Sequence, residues 1–178
     1  MPASPVGRAR AGLTRLGRGL LSLVLLRSPG TSPRPRTPAA EAYAGDFQGI
    51  ARIEYRPYPD GRADPGEVVW AWVPFEEDPG RGKDRPVLVV ARDGGRLLGL
   101  MMSSRERSAA ERRDQAARGR VWVPVGSGAW DAAGRPSAVR LDRVLRLEPD
   151  RVRREGAALD RGRFDEVADR LRRLHRWP

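Results

Sequence analysis

Residues 83–90 read Lys83-Asp84-Arg85-Pro86-Val87-Leu88-Val89-Val90, three charged side chains and a proline opening into an unbroken apolar run. Proline has no N–H to give a sheet ladder, so it belongs at a strand's first residue or on an edge. The run therefore reads as a strand over residues 86–91, launched from the Gly-rich loop Pro79-Gly80-Arg81-Gly82-Lys83. Arg85 stands at the mouth of that strand beside the loop, free to face a ligand. Its guanidinium is permanently charged and offers a planar fork of donors matched to phosphate.

Working outward, Arg92-Asp93-Gly94-Gly95 has hairpin-turn chemistry, and the chain returns as a strand over residues 96–104. Upstream, Asp64-Pro65-Gly66 launches the β-rich segment 67–74, and residues 50–55 alternate weakly before Pro57, Pro59 and the turn Asp60-Gly61. Downstream, residues 105–118 are charged and Ala-rich and read as an exposed loop or loose helix. A strand over 119–125 leads into Gly126-Ser127-Gly128. Residues 137–147 alternate regularly, and the apolar pair Val144-Leu145 predicts a bulge or change of face there. Asp160 is a suitable N-cap for a closing helix whose stripe is Phe164, Val167, Ala168, Leu171 and Leu174. The pattern predicts a mainly β, α+β fold of five or six short antiparallel strands in a small barrel, with the C-terminal helix packed outside.

Composition narrows the chemistry. The chain has 178 residues and a formal charge of +11, which suggests a polyanionic partner: RNA, DNA or an anionic membrane. Lys83 is the only lysine, and an arginine excess of this kind also arises in GC-rich genomes; the positive charge stands in either case. With no cysteine, disulfides, thiolate catalysis and cysteine-ligated zinc are excluded. The only histidine, His175, sits at the end of the terminal helix, so no triad or imidazole metal cluster is available. Chemistry falls to Arg, Asp, Glu, Ser, Lys and backbone groups.

Charge also divides the chain. Residues 1–45 hold seven arginines and one acid, a net of +6, which leaves +11 − 6 = +5 for residues 46–178. Leu13, Leu16, Leu20, Leu21 and Val24 recur at helical spacing between arginines, Ser28-Pro29-Gly30 stops them, and residues 31–40 read as a Pro-rich linker. This arm reads as a disordered tail or, alternatively, as a membrane-surface or RNA-contacting segment. It is a poor signal peptide, and no stretch approaches the ~20 apolar residues of a transmembrane helix. Residues 46–178 form the folded domain.

Placed in order, four segments resemble the MazF/PemK (Kid) family of type II toxin–antitoxin toxins over about residues 65–174. They are Gly66-Glu67-Val68-Val69-Trp70, Arg85-Pro86-Val87-Leu88-Val89-Val90, Met102-Ser103-Ser104, and Ser137-Ala138-Val139-Arg140-Leu141-Asp142-Arg143-Val144-Leu145-Arg146. Ser103 stands where the family usually has Thr, Arg143 replaces its usual Gln, and Arg146 lies one place later than the family's Arg.

The resemblance implies an SH3-like barrel and a metal-independent, cofactor-free, sequence-selective endoribonuclease acting on single-stranded mRNA. The RNA's own 2′-OH would attack the adjacent phosphate and leave a 2′,3′-cyclic phosphate and a free 5′-OH. By that resemblance Arg85 clamps the scissile phosphate, Ser103 donates to a non-bridging oxygen, and Ser104, Lys83 and Arg81 help to bind substrate. Arg140 and Asp142 are the candidates for acid and base. Two apart on one strand, they leave the same face, and Arg140 would hold Asp142 ionised. Electrostatic stabilisation suits an arginine better than proton donation. A cross-strand surface pair is the plain structural alternative for them, and a strand end is the alternative for the two serines. Trp70 and Trp72 read as core or dimer-interface groups, while Trp122 and Trp130 are candidates for base stacking.

The implied partners are single-stranded RNA, a cognate antitoxin with an acidic disordered tail, and a second copy of the chain, all in the cytoplasm. The competing reading is a non-cleaving binding protein on the same barrel, such as a gyrase-binding toxin or an RNA-binding regulator, because fold alone does not settle function.

Overall fold

The computed structural model describes residues 43–153 and 157–178. The basic arm expected over residues 1–45, with its helix and linker, lies outside the described residues up to residue 42. Five strands make one antiparallel sheet: β1 (Val68–Pro74), β2 (Gly82–Asp93), β3 (Arg96–Ser103), β4 (Trp122–Gly126) and β5 (Ser137–Leu147). Their order is β1-β2-β3-β5-β4. Helix α1 (Ala109–Ala117) lies between β3 and β4, and α2 (Arg161–His175) follows β5.

β2 begins at Gly82 rather than Pro86, because β1 pairs with it all the way from Val68↔Leu88 to Pro74↔Gly82. Pro86 costs this ladder nothing. Its partner Trp70 exchanges both backbone hydrogen bonds with Arg153 on the outer side of β1, 2.8 Å each way. Trp70 and Pro86 are therefore a non-hydrogen-bonded pair, in which the proline's nitrogen points away from β1. The same contact, with Val68 N donating to Ala157 O at 3.0 Å, covers the outer edge of β1.

The hairpin turn forms as its sequence dictates: Asp93 pairs Arg96 across Gly94-Gly95, with Gly94 at φ 58°. Residues 50–55 differ from expectation and form no strand. They run extended with isolated bonds only, such as Glu54 N to Val90 O at 3.0 Å, and the prolines that follow stop any ladder from growing. The sheet is also not closed by a β1–β4 pairing, so the barrel stays open there.

Register breaks in β2, β3 and β4 curl the sheet. The largest lies in β5. Leu100 and Met102, two apart in β3, pair with Val144 and Val139, five apart in β5, so β5 carries 5 − 2 = 3 additional residues there. The change of face thus falls at residues 140–143, just before the Val144-Leu145 pair expected to mark it. Arg140 and Asp142 lie within this displaced segment, where Arg140 pairs with Trp122 of β4.

Both faces of the sheet are covered. One packs Val68, Leu88, Val90, Leu100, Met102 and Leu141 against Phe164, Val167 and Leu171 of α2. The other gathers Val69, Val73, Val87, Val89, Leu97 and Leu145. Asp160 caps α2 by accepting from Arg163 N at 3.2 Å. Past the helix, Arg176 turns left-handed and Trp177 folds back, its Nε1 donating to Gly49 O at 2.9 Å. His175 donates through Nε2 to Leu141 O at 2.8 Å and so ties the helix end to β5. Among the described residues no helix is long and apolar enough to cross a membrane.

Candidate active site

The entry of β2, the end of β3 and the displaced segment of β5 converge on a cleft of about 450 Å³ lined by Lys83, Arg85, Ser103 and Arg140. Arg85, opposite Ala71 on β1, is half-buried. No carboxylate or other hydrogen-bonding group among the described residues pairs with it, and burial alone draws its guanidinium below the usual arginine value. An arginine remains fully charged after such a shift. A half-desolvated, unpaired cation facing a cleft is costly in the free protein and well suited to an incoming anion.

Arg140 is the opposite case. It is 6% exposed and wholly engaged by carboxylates. Its Nε and Nη2 lie 3.0 and 2.6 Å from Asp142 Oδ2, and its Nη1 meets Glu76. Burial would raise the Asp142 carboxyl, but the bonds from Arg140 and from Val121 N (2.8 Å) outweigh it and hold the group below the usual carboxylate range. Glu76 is likewise lowered, chiefly by its bond from Arg140, with Arg120 adding to the effect at 3.5 Å.

The remaining expected residues spread around this centre. Ser103 Oγ accepts from Arg105 N at 3.2 Å. Ser104 lines a neighbouring cleft of about 700 Å³, shared with Arg85 and Asp131. Asp142 stands behind Arg140, outside the lining of the central cleft. Arg81 points elsewhere, its guanidinium 5.9 Å from the Phe75 ring centre. Arg143, which replaces the family's usual Gln, is buried and structural: it grips Asp46 at 2.9 and 3.1 Å and donates to Pro74 O at 2.7 Å.

Among the cleft residues that escaped the sequence reading are Glu76, Arg107 and Arg120. Glu76 sits in a loop without periodicity. Arg107 and Arg120 flank α1; Arg120 falls in the segment read as a strand over 119–125, and Arg107 in the stretch read as loop or loose helix. One signal there was legible. Ser108-Ala109-Ala110-Glu111 spells a capping box, and both of its reciprocal bonds form, at 3.2 and 2.9 Å. Of the tryptophans, Trp130 is core, with Nε1 donating to Ser137 Oγ at 3.1 Å. Trp122 borders the cleft, and Trp70 and Trp72 are half-buried on β1.

A curled antiparallel sheet with a helix across one face, bearing a cationic cleft at the β2, β3 and β5 ends, describes a small toxin-type barrel. The chain belongs to the PemK-like, MazF-like toxins of type II toxin–antitoxin systems, whose family model matches residues 64–175. Similar solved structures include the MazE–MazF complex of Deinococcus radiodurans in two crystal forms. These are each 20% identical, with TM-scores of 0.44 and 0.43, and cover 65% and 68% of this chain and 98% and 96% of theirs. MazF alone from the same organism is 21% identical with a TM-score of 0.42, covering 65% of this chain and 97% of its own. No curated protein matches the chain in sequence.

Proposed function

We propose that the protein is a growth-inhibiting, metal-independent endoribonuclease that cuts single-stranded mRNA at preferred sequences. The observation that carries this reading is Arg85: an unpaired, half-buried guanidinium facing a cleft of nucleotide dimensions, with Ser103 and Lys83 beside it. A scissile phosphate seated on Arg85 replaces lost hydration with charge-assisted bonds. The 2′-oxygen of the RNA attacks phosphorus, the bond from phosphorus to the 5′-oxygen breaks, and a 2′,3′-cyclic phosphate and a 5′-hydroxyl result. Arg85 and a Ser103 hydrogen bond stabilise the phosphorane's added charge, the step at which preorganised donors matter most.

Arg140 adds positive potential from the rear of the cleft. Once the phosphate draws Arg140 off one of its oxygens, Asp142 takes up the 2′-OH proton through an intervening water, and the departing 5′-oxygen takes its proton from solvent. Lys83, Ser104 and, at the periphery, Arg81 contact the flanking chain. The working form is a cytoplasmic homodimer restrained by an antitoxin whose acidic, disordered tail competes for the same cations.

A second reading has its own observation. The two carboxylates bonded to Arg140, Glu76 and Asp142, are held below their usual range, so each is a weak base. That favours a non-cleaving RNA binder or a gyrase-binding toxin. Incubating the full chain with mixed-sequence RNA in EDTA separates the two. Discrete cuts ending in cyclic phosphate support the nuclease; intact RNA with inhibited gyrase supercoiling supports the binder.

A further inference from the structure

We infer that the Trp122 ring, with the Arg107 guanidinium laid over it, is a stacking subsite for one nucleobase of single-stranded RNA. The inference rests on the nucleolytic reading above and supplies its base-recognition element. Trp122 opens β4 and pairs directly with Arg140 on β5. It borders both the central cleft and an adjoining one of about 860 Å³ that opens between α1 and β4. The adjoining cleft is floored by Trp122, Val121 and Pro124, so a flat apolar surface continues directly from the phosphate-binding cations.

Arg107 lies 3.9 Å from the Trp122 ring centre. It makes no salt bridge among the described residues, Glu111 acting on it only at longer range, and it donates to Arg105 O at 3.3 Å. A guanidinium is planar and stacks on aromatic faces much as a base does. It therefore marks the position of a stacked base and can slide aside to sandwich one, its charge then facing the RNA backbone. Stacking of this kind selects single strands, whose bases are free to splay out.

The test measures binding of short fluorescent 2′-O-methyl oligonucleotides, which cannot form the cyclic phosphate, with each position made abasic in turn. The full chain is expected to lose about tenfold affinity or more at one position. Trp122→Leu should be indifferent to the base at that position, and Trp122→Phe should keep the discrimination. Equal weakening of intact and abasic oligonucleotides by a folded Trp122→Leu overturns the subsite and leaves the nuclease reading standing, as does binding in which no position is sensitive. Absence of salt-dependent binding to any oligonucleotide overturns both. Should Trp122→Leu fail to fold, Arg107→Ala decides the matter: it must weaken the intact oligonucleotide more than the abasic one, and an equal effect overturns the proposal.

Discussion

Arg140 holds Asp142, two residues along the same strand, in a two-pronged ion pair, with Nε 3.0 Å and Nη2 2.6 Å from Oδ2. Same-face spacing on a regular strand brings two side chains near each other. The three added residues of β5 fold this pair under the cleft and leave Arg140 almost wholly buried. Removing one partner of such a pair leaves the other desolvated and underused. Asp142→Asn should therefore cost about 1–3 kcal/mol of stability by denaturant melting. In the proposed mechanism it should also abolish cleavage.

The pH dependence follows from the depressed carboxyls. Asp142 and Glu76 both titrate lower in the folded protein than their ordinary values of 3.8 and 4.5. Groups lowered by folding add stability above the unfolded value and lose it as pH falls through the folded one. The melting temperatures of the wild type and Asp142→Asn should differ at neutral pH and converge as pH drops below about 4. A gap unchanged at pH 3 would show that the carboxylate's charge is not what stabilises the site.

In the proposed mechanism Glu76 competes with RNA for Arg140. Freeing that cation by Glu76→Gln should raise affinity for single-stranded RNA by about two- to fivefold, the value of a partly exposed ion pair. Fluorescence anisotropy at fixed salt reads it; weakened binding would mean that Glu76 holds Arg140 in place rather than blocking it.

Phe164 is 2% exposed and stacks at 4.9 Å on Tyr55, whose hydroxyl donates to Leu159 O at 2.8 Å. Phe164→Ala should cost about 3–5 kcal/mol, because α2 then leaves a cavity over the sheet. On the sheet itself, a Cβ at Gly99 would stand 2.5 Å from Val87 Cγ1, so Gly99→Ala should cost about 1–3 kcal/mol.

Much of this fold was legible. Pro86, the Gly94-Gly95 turn and the α2 stripe are local signals, and local signals survive folding. The strand bounds at Gly82, the missing strand over residues 50–55 and the exact place of the β5 displacement depend on cross-strand partners, which no window of sequence contains. The site divides the same way. Arg85 precedes the proline of an apolar run and Ser103 ends β3, both local signals, whereas Glu76 reaches Arg140 from a loop 64 residues away. Arg107 meets Trp122 across the whole of α1, from 15 residues away.

The most direct test of the central claim is single-turnover cleavage of RNA by the wild type and Arg85→Ala in EDTA, with thermal melting of both. Arg85 makes no ion pair among the described residues, so its removal should shift stability by no more than about 0.5 kcal/mol. Cleavage to cyclic phosphate ends should fall by about a hundredfold or more, as expected for a lost transition-state donor. A folded Arg85→Ala protein that cuts at the wild-type rate would contradict the account and remove this guanidinium from the chemistry.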